Sequence, residues 1–122
     1  MAVAMERIMK KEVRRLDMWN ADLGENKGSV QGGVRPVVIV GNDMGNKYSP
    51  VVMVSPVTSR VKKSMPTHVK VNKEDLGLYE DSIILLEQII TIPKDKLDFK
   101  ITQIPNHLAG AINKALSLSL SL

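Results

Sequence analysis

Arg35-Pro36-Val37-Val38-Ile39-Val40 carries four apolar β-branched residues in succession, with no polar residue alternating among them. Such a run suits a strand buried on both faces better than one half-open to water. Upstream, Gly24–Val34 is dense in turn formers: Gly24, Asn26, Gly28, Ser29, Gly32 and Gly33. At about eleven residues this loop exceeds a plain hairpin connection, and long ordered loops often carry function. Before it, Met18–Leu23 reads as a first strand. Downstream, Gly41–Asn46 reads as a second loop, Pro50–Val57 as a strand with Thr58 at its end, and Arg60–Pro66 as a short basic loop. Thr67–Val71 alternates as a strand, and Asp81–Ile92 is a long apolar run interrupted by Glu87 and Gln88. Pro93–Leu97 suits a helical turn, because proline fits a first helical position, and Phe99–Ile104 suits a last strand.

The two ends are more ambiguous. Leu108, Ile112 and Leu116 form a helical stripe, yet Leu116, Leu118, Leu120 and Leu122 alternate with serine at a strand's period. A helix with a frayed end is the expectation. Residues 2–15 read as a short amphipathic helix or a frayed tail. Five or six short strands with one terminal helix predict a small, mainly β barrel.

The length of 122 residues fits one domain, and 43% hydrophobic residues suffice for an ordinary core. Without cysteine there is no disulfide framework, thiolate zinc site or cysteine nucleophile. His68 and His107 are the two imidazoles, far apart in sequence. No apolar run approaches the ~18 residues of a membrane span, so a cytoplasmic protein without membrane association is expected. The net charge of +4 is uneven: residues 1–73 carry 13 basic and 6 acidic side chains, residues 74–122 carry 4 and 7. A basic first part suits a polyanionic partner or simply a solvated surface.

No Walker loop, dinucleotide fingerprint, HExxH helix or EF-hand loop is present, and no metal or cofactor is expected. Asp17 and Asp22 fall on opposite faces of their strand by parity. Polar groups at strand ends remain. Arg35 follows the glycine-rich loop, where a guanidinium fork can meet phosphate oxygens or form a rim salt bridge. Thr58-Ser59-Arg60 offers two hydroxyls and a cation, or a capped turn. His68 in an alternating strand is either packed or functional, and Lys62-Lys63 is ordinarily solvated. Glu87 and Gln88 need polar partners wherever the apolar run is buried. Four aromatic residues, Trp19, Tyr48, Tyr79 and Phe99, are few for a base-stacking sheet.

From about residue 14 onward the chain resembles the MazF/PemK toxin endoribonucleases of bacterial toxin–antitoxin systems. The stretches that carry the resemblance are Asp22-Leu23-Gly24, Gly28–Val38, Asn42–Pro50, Thr58-Ser59-Arg60, Pro66–Val69, Asp81–Ile89 and the closing Ala115–Leu120. Residues 1–13 then form an N-terminal extension and residues 14–122 the toxin domain. The resemblance implies an SH3-like β-barrel with a C-terminal helix, working as a homodimer. It implies cofactor-free, metal-independent cutting of single-stranded RNA through 2′-hydroxyl attack, and inhibition by a MazE-like antitoxin through that partner's C-terminal tail. By the same resemblance Arg35 and Thr58 are catalytic, while Ser29, Gln31, Gly32, Ser59, Lys63, His68, Glu87 and Gln88 touch RNA. The sequence departs from the family at Leu16, where glycine is common, at Val30 (glutamate), at Gly41 (glutamine) and at Ile90 (arginine). Two other readings remain at this point: a weakened homologue that mainly binds antitoxin, and a gyrase poison on the same fold.

Overall fold

The computed structural model describes residues 11–25, 28–60 and 63–122. Seven strands pair throughout in the antiparallel sense: β1 (Asp17–Asp22), β2 (Val34–Ile39), β3 (Val51–Thr58), β4 (His68–Val71), β5 (Ser82–Leu85), β6 (Ile90–Pro93) and β7 (Leu97–Gln103). Among the described residues three α-helices accompany them: α1 (Asp43–Tyr48), α2 (Lys73–Leu76) and α3 (Asn106–Leu120). The strand order is β4-β5-β3-β2-β1-β7, with β6 on β3 as well. The eight residues of β3 serve three partners: β2 on one edge, and on the other β6 along its first half and β5 at its end. Breaks in the β1–β7 register around Trp19 are the kind of irregularity that bends and twists a sheet toward a barrel.

The β-branched run of β2 sits at the centre of this sheet, and both its faces are buried. Val37 and Ile39 join Trp19, Ala21, Val52, Val54, Ile92 and Leu97 in one core. Val38 and Val40 point the other way, into a second core with Met18, Val57, Ile84, Leu86 and Ile112. Side chains alternate along a strand, so four consecutive apolar residues feed two cores. Helix α3 covers the second core with Ile112 and Ala115, while Leu108 and Leu116 pack at its margin. It remains helical through Leu120, and Leu118 and Leu120 are left exposed. Burying one helical stripe on a sheet outweighs the local Ser–Leu alternation.

Several local readings change. Residues 41–46, expected as a loop, largely form α1: the Asn42 side chain caps the helix by accepting from the Gly45 amide at 2.8 Å. That cap overrides the poor helix propensity of Gly45 and Asn46. The Asp81–Ile92 run divides into β5 and β6 at the turn bearing Glu87 and Gln88. Pro93–Leu97 contains a single 3₁₀ turn, Lys94–Lys96. The buried Lys94 ammonium donates to the Asn46 carbonyl near the C-terminal end of α1, and desolvation lowers its pKa. Of the N-terminal reading, residues 1–10 lie outside the described residues, and residues 11–15 are not helical.

Three of the four departures from the resembled pattern, at Leu16, Gly41 and Ile90, have local explanations. Leu16 takes φ +70°, a region that costs a non-glycine residue roughly 1–2 kcal/mol. Its side chain packs on the second core, and its backbone bonds to Ile39 and Ile104. Gly41 backs onto β3: a Cβ there would lie 3.3 Å from the Met53 Cβ. Ile90 packs against the first core, where apolar neighbours suit it. Asp17 is wholly buried, pairing with Lys100 at 3.2 Å and accepting from the Arg14 amide, whereas Asp22 is exposed. Nothing in the structure explains Val30, which is exposed.

Asp43 ties the chain before β1 to α1. The Arg15 amide and the Asn46 side chain donate to its carboxylate, and those bonds hold its pKa below 3.8. The charged form is favoured in the fold, so the stabilisation is present above the ordinary carboxylate range and is lost as pH falls through the lowered value. Asp43→Asn is therefore expected to fall less steeply in Tm on acidification than the parent, measured by thermal denaturation across pH.

Candidate active site

The site is built where β2 begins and β3 ends. The β2–β3 register pairs Val37 with Pro56 and Val38 with Ser55; continued outward, it sets Arg35 opposite Thr58. Directly opposed residues share a sheet face with Cβ atoms about 5 Å apart. Both side chains line one open cleft of ≈ 400 Å³, with Ser59, Arg60, Leu78, Tyr79, Glu80 and Ser82 among the other walls.

Arg35 is half-buried, and its Nε donates to the Gly32 carbonyl at 2.8 Å. Desolvation by burial lowers its pKa from the ordinary arginine value. The same burial strengthens its attraction for an anion and makes it a better proton donor. Thr58 is buried, and its Oγ1 accepts from the Arg60 amide at 3.1 Å. With that lone pair occupied, its O–H remains available for donation to a ligand.

The glycine-rich loop reaches Arg35 through a closed base. The Leu23 amide donates to the Gly33 carbonyl at 2.9 Å and the Gly33 amide donates to Gly24. Gly33 takes φ +75°, and a Cβ there would touch nothing within 4 Å, so its requirement for glycine is conformational rather than steric. The loop also leans on the β5–β6 turn. The Gln88 Oε1 accepts from the Gln31 amide at 2.9 Å, and its Nε2 donates to the Ser29 carbonyl at 2.9 Å.

Beside Gln88, Glu87 accepts from His68 Nε2 at 2.8 Å. The Met65 amide donates to His68 Nδ1, which assigns the ring proton to Nε2 and fixes the pair's direction. The second carboxylate oxygen of Glu87 is buried without a partner among the described residues. His68 also faces a groove with Pro66, Lys70 and α3.

The expected site residues therefore fall into linked groups. Arg35, Thr58 and Ser59 share the cleft. Gly32, Gln31, Ser29 and Gln88 form the loop and its support. His68 and Glu87 form a pair on the neighbouring turn, and Lys63 is exposed on the β3–β4 connection. Leu78, Tyr79, Glu80 and Ser82 belong to the cleft but to none of the residues singled out in the sequence. The available sequence signal was Tyr79, an aromatic in a polar stretch, which proves fully exposed.

Known proteins share this arrangement's sequence and fold. A family model described as "PemK-like, MazF-like toxin of type II toxin-antitoxin system" matches residues 14–120. The chain is 48% identical over 111 residues to "Endoribonuclease MazF" of Staphylococcus saprophyticus, covering 90% of this chain and 92% of that relative. MazF from Deinococcus radiodurans superposes with a TM-score of 0.79 at 18% identity, over 93% of this chain and 100% of that one. A mycobacterial endoribonuclease in complex with its cognate antitoxin gives 0.76 at 24% identity, over 90% and 96%. The latter two likenesses show the fold, a mainly β, barrel-like antiparallel sheet with a C-terminal helix. The length of the family match and the identity to the staphylococcal relative show more: this chain belongs to the PemK-like, MazF-like family of type II toxin–antitoxin toxins.

Proposed function

We propose that the chain is a toxin endoribonuclease that cuts single-stranded RNA without a metal ion or other cofactor. One observation carries this reading: Arg35 and Thr58 line the same open cleft in a chain 48% identical to a MazF endoribonuclease. The RNA supplies its own nucleophile. Its 2′-hydroxyl gives its proton to solvent water and attacks the adjacent phosphorus in line, and the 5′-oxygen leaves and takes a proton from Arg35, which regains one from solvent. The products are a 2′,3′-cyclic phosphate and a 5′-hydroxyl end. Arg35 stabilises charge on the nonbridging oxygens and protonates the leaving oxygen, while Thr58 donates to a nonbridging oxygen. As a resting general base Arg35 is unsuitable, because guanidinium holds its proton.

RNA runs from the cleft past Ser59 and Gly32 to the Ser29–Gln31 turn, with Lys63 and the His68–Glu87 pair along its edge. Backbone groups and cations supply much of this contact. Tyr79 adds one stacking platform at the cleft wall. Tyr79→Ala is expected to raise KM by about tenfold while leaving kcat nearly unchanged, since stacking on one aromatic contributes roughly 1–3 kcal/mol per base. Steady-state cleavage of an oligonucleotide checks this, and an equal loss in kcat contradicts it.

The protein works in the bacterial cytoplasm as a homodimer and is held inactive by a MazE-like antitoxin whose C-terminal tail lies along its surface. The complex of the mycobacterial neighbour with its cognate antitoxin supports that partner class. The domain that does this comprises residues 14–122, with 1–13 as an extension. The test is single-turnover cleavage of mixed-sequence RNA in EDTA. Cutting supports the reading; antitoxin binding without cutting selects the weakened homologue, and gyrase inhibition without RNA cutting selects the gyrase poison.

A further inference from the structure

The family resemblance implies Gln88 as an RNA contact, but its side chain is already engaged at both ends. Its carbonyl oxygen accepts from Gln31 and its amide nitrogen donates to Ser29, each at 2.9 Å. These bonds span 57 and 59 residues of sequence, joining the β5–β6 turn to the glycine-rich loop. A carboxamide is the side-chain group that can accept from one backbone amide and donate to a neighbouring carbonyl at once. The mount beneath it is firm. The Gln88 amide donates to the Leu85 carbonyl at 3.1 Å, and the Leu86 amide donates to Thr67 at 3.0 Å. Leu86 is wholly buried, and Glu87 is paired with His68.

On the loop side, the residue after Gln31 is Gly32, whose carbonyl accepts from Arg35 Nε at 2.8 Å. An Nε bond restrains the plane of a guanidinium while leaving its two terminal nitrogens unused by that bond. A continuous path thus runs from the Gln88 carboxamide through the Ser29–Gly32 backbone to the Arg35 fork. The backbone bonds at Leu23, Gly24 and Gly33 hold the base of the loop, and Gln88 holds its far part.

We propose that Gln88 is a positioning residue for Arg35: it clamps the glycine-rich loop so that the Gly32 carbonyl presents the guanidinium to the phosphate. The proposal rests on Arg35 being the charge-stabilising group. Gln88→Met keeps the side chain's length and removes both polar contacts. Gln88→Glu keeps the acceptor for Gln31 and replaces the donor to Ser29 by a repelling oxygen. A misplacement near 1 Å can cost about 100-fold in rate. Gln88→Met is therefore expected to lower kcat by about 10- to 100-fold with little change in KM, and Gln88→Glu to fall between it and the parent.

Two further readouts separate positioning from a merely structural role. In an Arg35→Ala background, Gln88→Met adds little further loss in rate, because residues acting through one group are not additive. By NMR, the Arg35 Nε–H resonance shifts and its hydrogen exchange quickens in Gln88→Met, while Tm changes little. A rise in KM at unchanged kcat, or an Arg35 Nε–H signal identical in parent and Gln88→Met, overturns the clamp. If the parent protein cuts no RNA, the functional reading fails instead, and the Nε–H comparison still decides the clamp.

Discussion

Arg35→Ala is expected to slow single-turnover RNA cleavage by about 10²- to 10³-fold, the cost of removing a preorganised donor to a developing oxyanion. Three features make the effect large. The guanidinium is half-buried and its pKa is lowered by desolvation, so its attraction for phosphate oxygens is weakly screened. Its orientation is set in advance by the Gly32 carbonyl, so little reorganisation is needed at the moment of reaction. It lies opposite Thr58 by continuation of the β2–β3 register, so two donors line one cleft. Arg35→Lys is expected to recover only part of the loss, because an ammonium keeps the charge but not the planar fork. Thr58→Ala is expected to fall in the same range as Arg35→Ala, and the double variant to lose less than the product of the two. Tm should hardly move in Arg35→Ala, since the side chain is not part of either core. Normal cleavage by Arg35→Ala would remove the proposed mechanism.

Ile112→Ala is expected to destabilise the protein by about 2–5 kcal/mol, the usual range for truncating a wholly buried isoleucine. In a domain of this length that lowers Tm by roughly 10–20 °C. The cost arises because Ile112 is where α3 meets the core formed by Met18, Val38, Val57, Ile84 and Leu86. Alanine leaves a cavity between helix and sheet that neither element can close. Leu118→Ala is the control: the side chain is 51% exposed on the same helix, and its removal should change stability by no more than about 0.5 kcal/mol. Similar losses at the two positions, measured by urea denaturation, would contradict the helical placement of this segment and favour the Ser–Leu strand period instead.

The particular residues that made the fold legible were those whose local pattern and tertiary environment agree. Val37 to Val40 announced a doubly buried strand because nothing polar interrupts them, and β2 indeed separates two cores. Leu108, Ile112 and Leu116 announced α3 despite the competing alternation after Leu116. Helix α1 was hidden because Gly41–Asn46, with two glycines and two asparagines, favours turns, and its stability comes from the Asn42 cap and from Lys94, which is distant in sequence. A buried lysine that bonds a helix carbonyl leaves no local sequence mark. The division of Asp81–Ile92 was marked by Glu87 and Gln88, but which partners those polar groups would find depends on strand order.

The same distinction governs the site. The placement of Arg35 and Thr58 at the ends of apolar strands was legible, and the fold brings both to one cleft. The Gln88 clamp was not, because its two hydrogen bonds join segments almost sixty residues apart. Tyr79 and Glu80 reach the cleft from the stretch between α2 and β5, which carries no motif.

The most direct test of the account uses an RNA whose cut site has been mapped, remade with a single 2′-deoxynucleotide on the 5′ side of the scissile phosphate and incubated with the protein in EDTA. The account predicts that the all-ribose strand is cut to a 2′,3′-cyclic phosphate and a 5′-hydroxyl end, seen by mass spectrometry, while the substituted strand stays whole. Cleavage of the substituted strand at the same phosphate would contradict it.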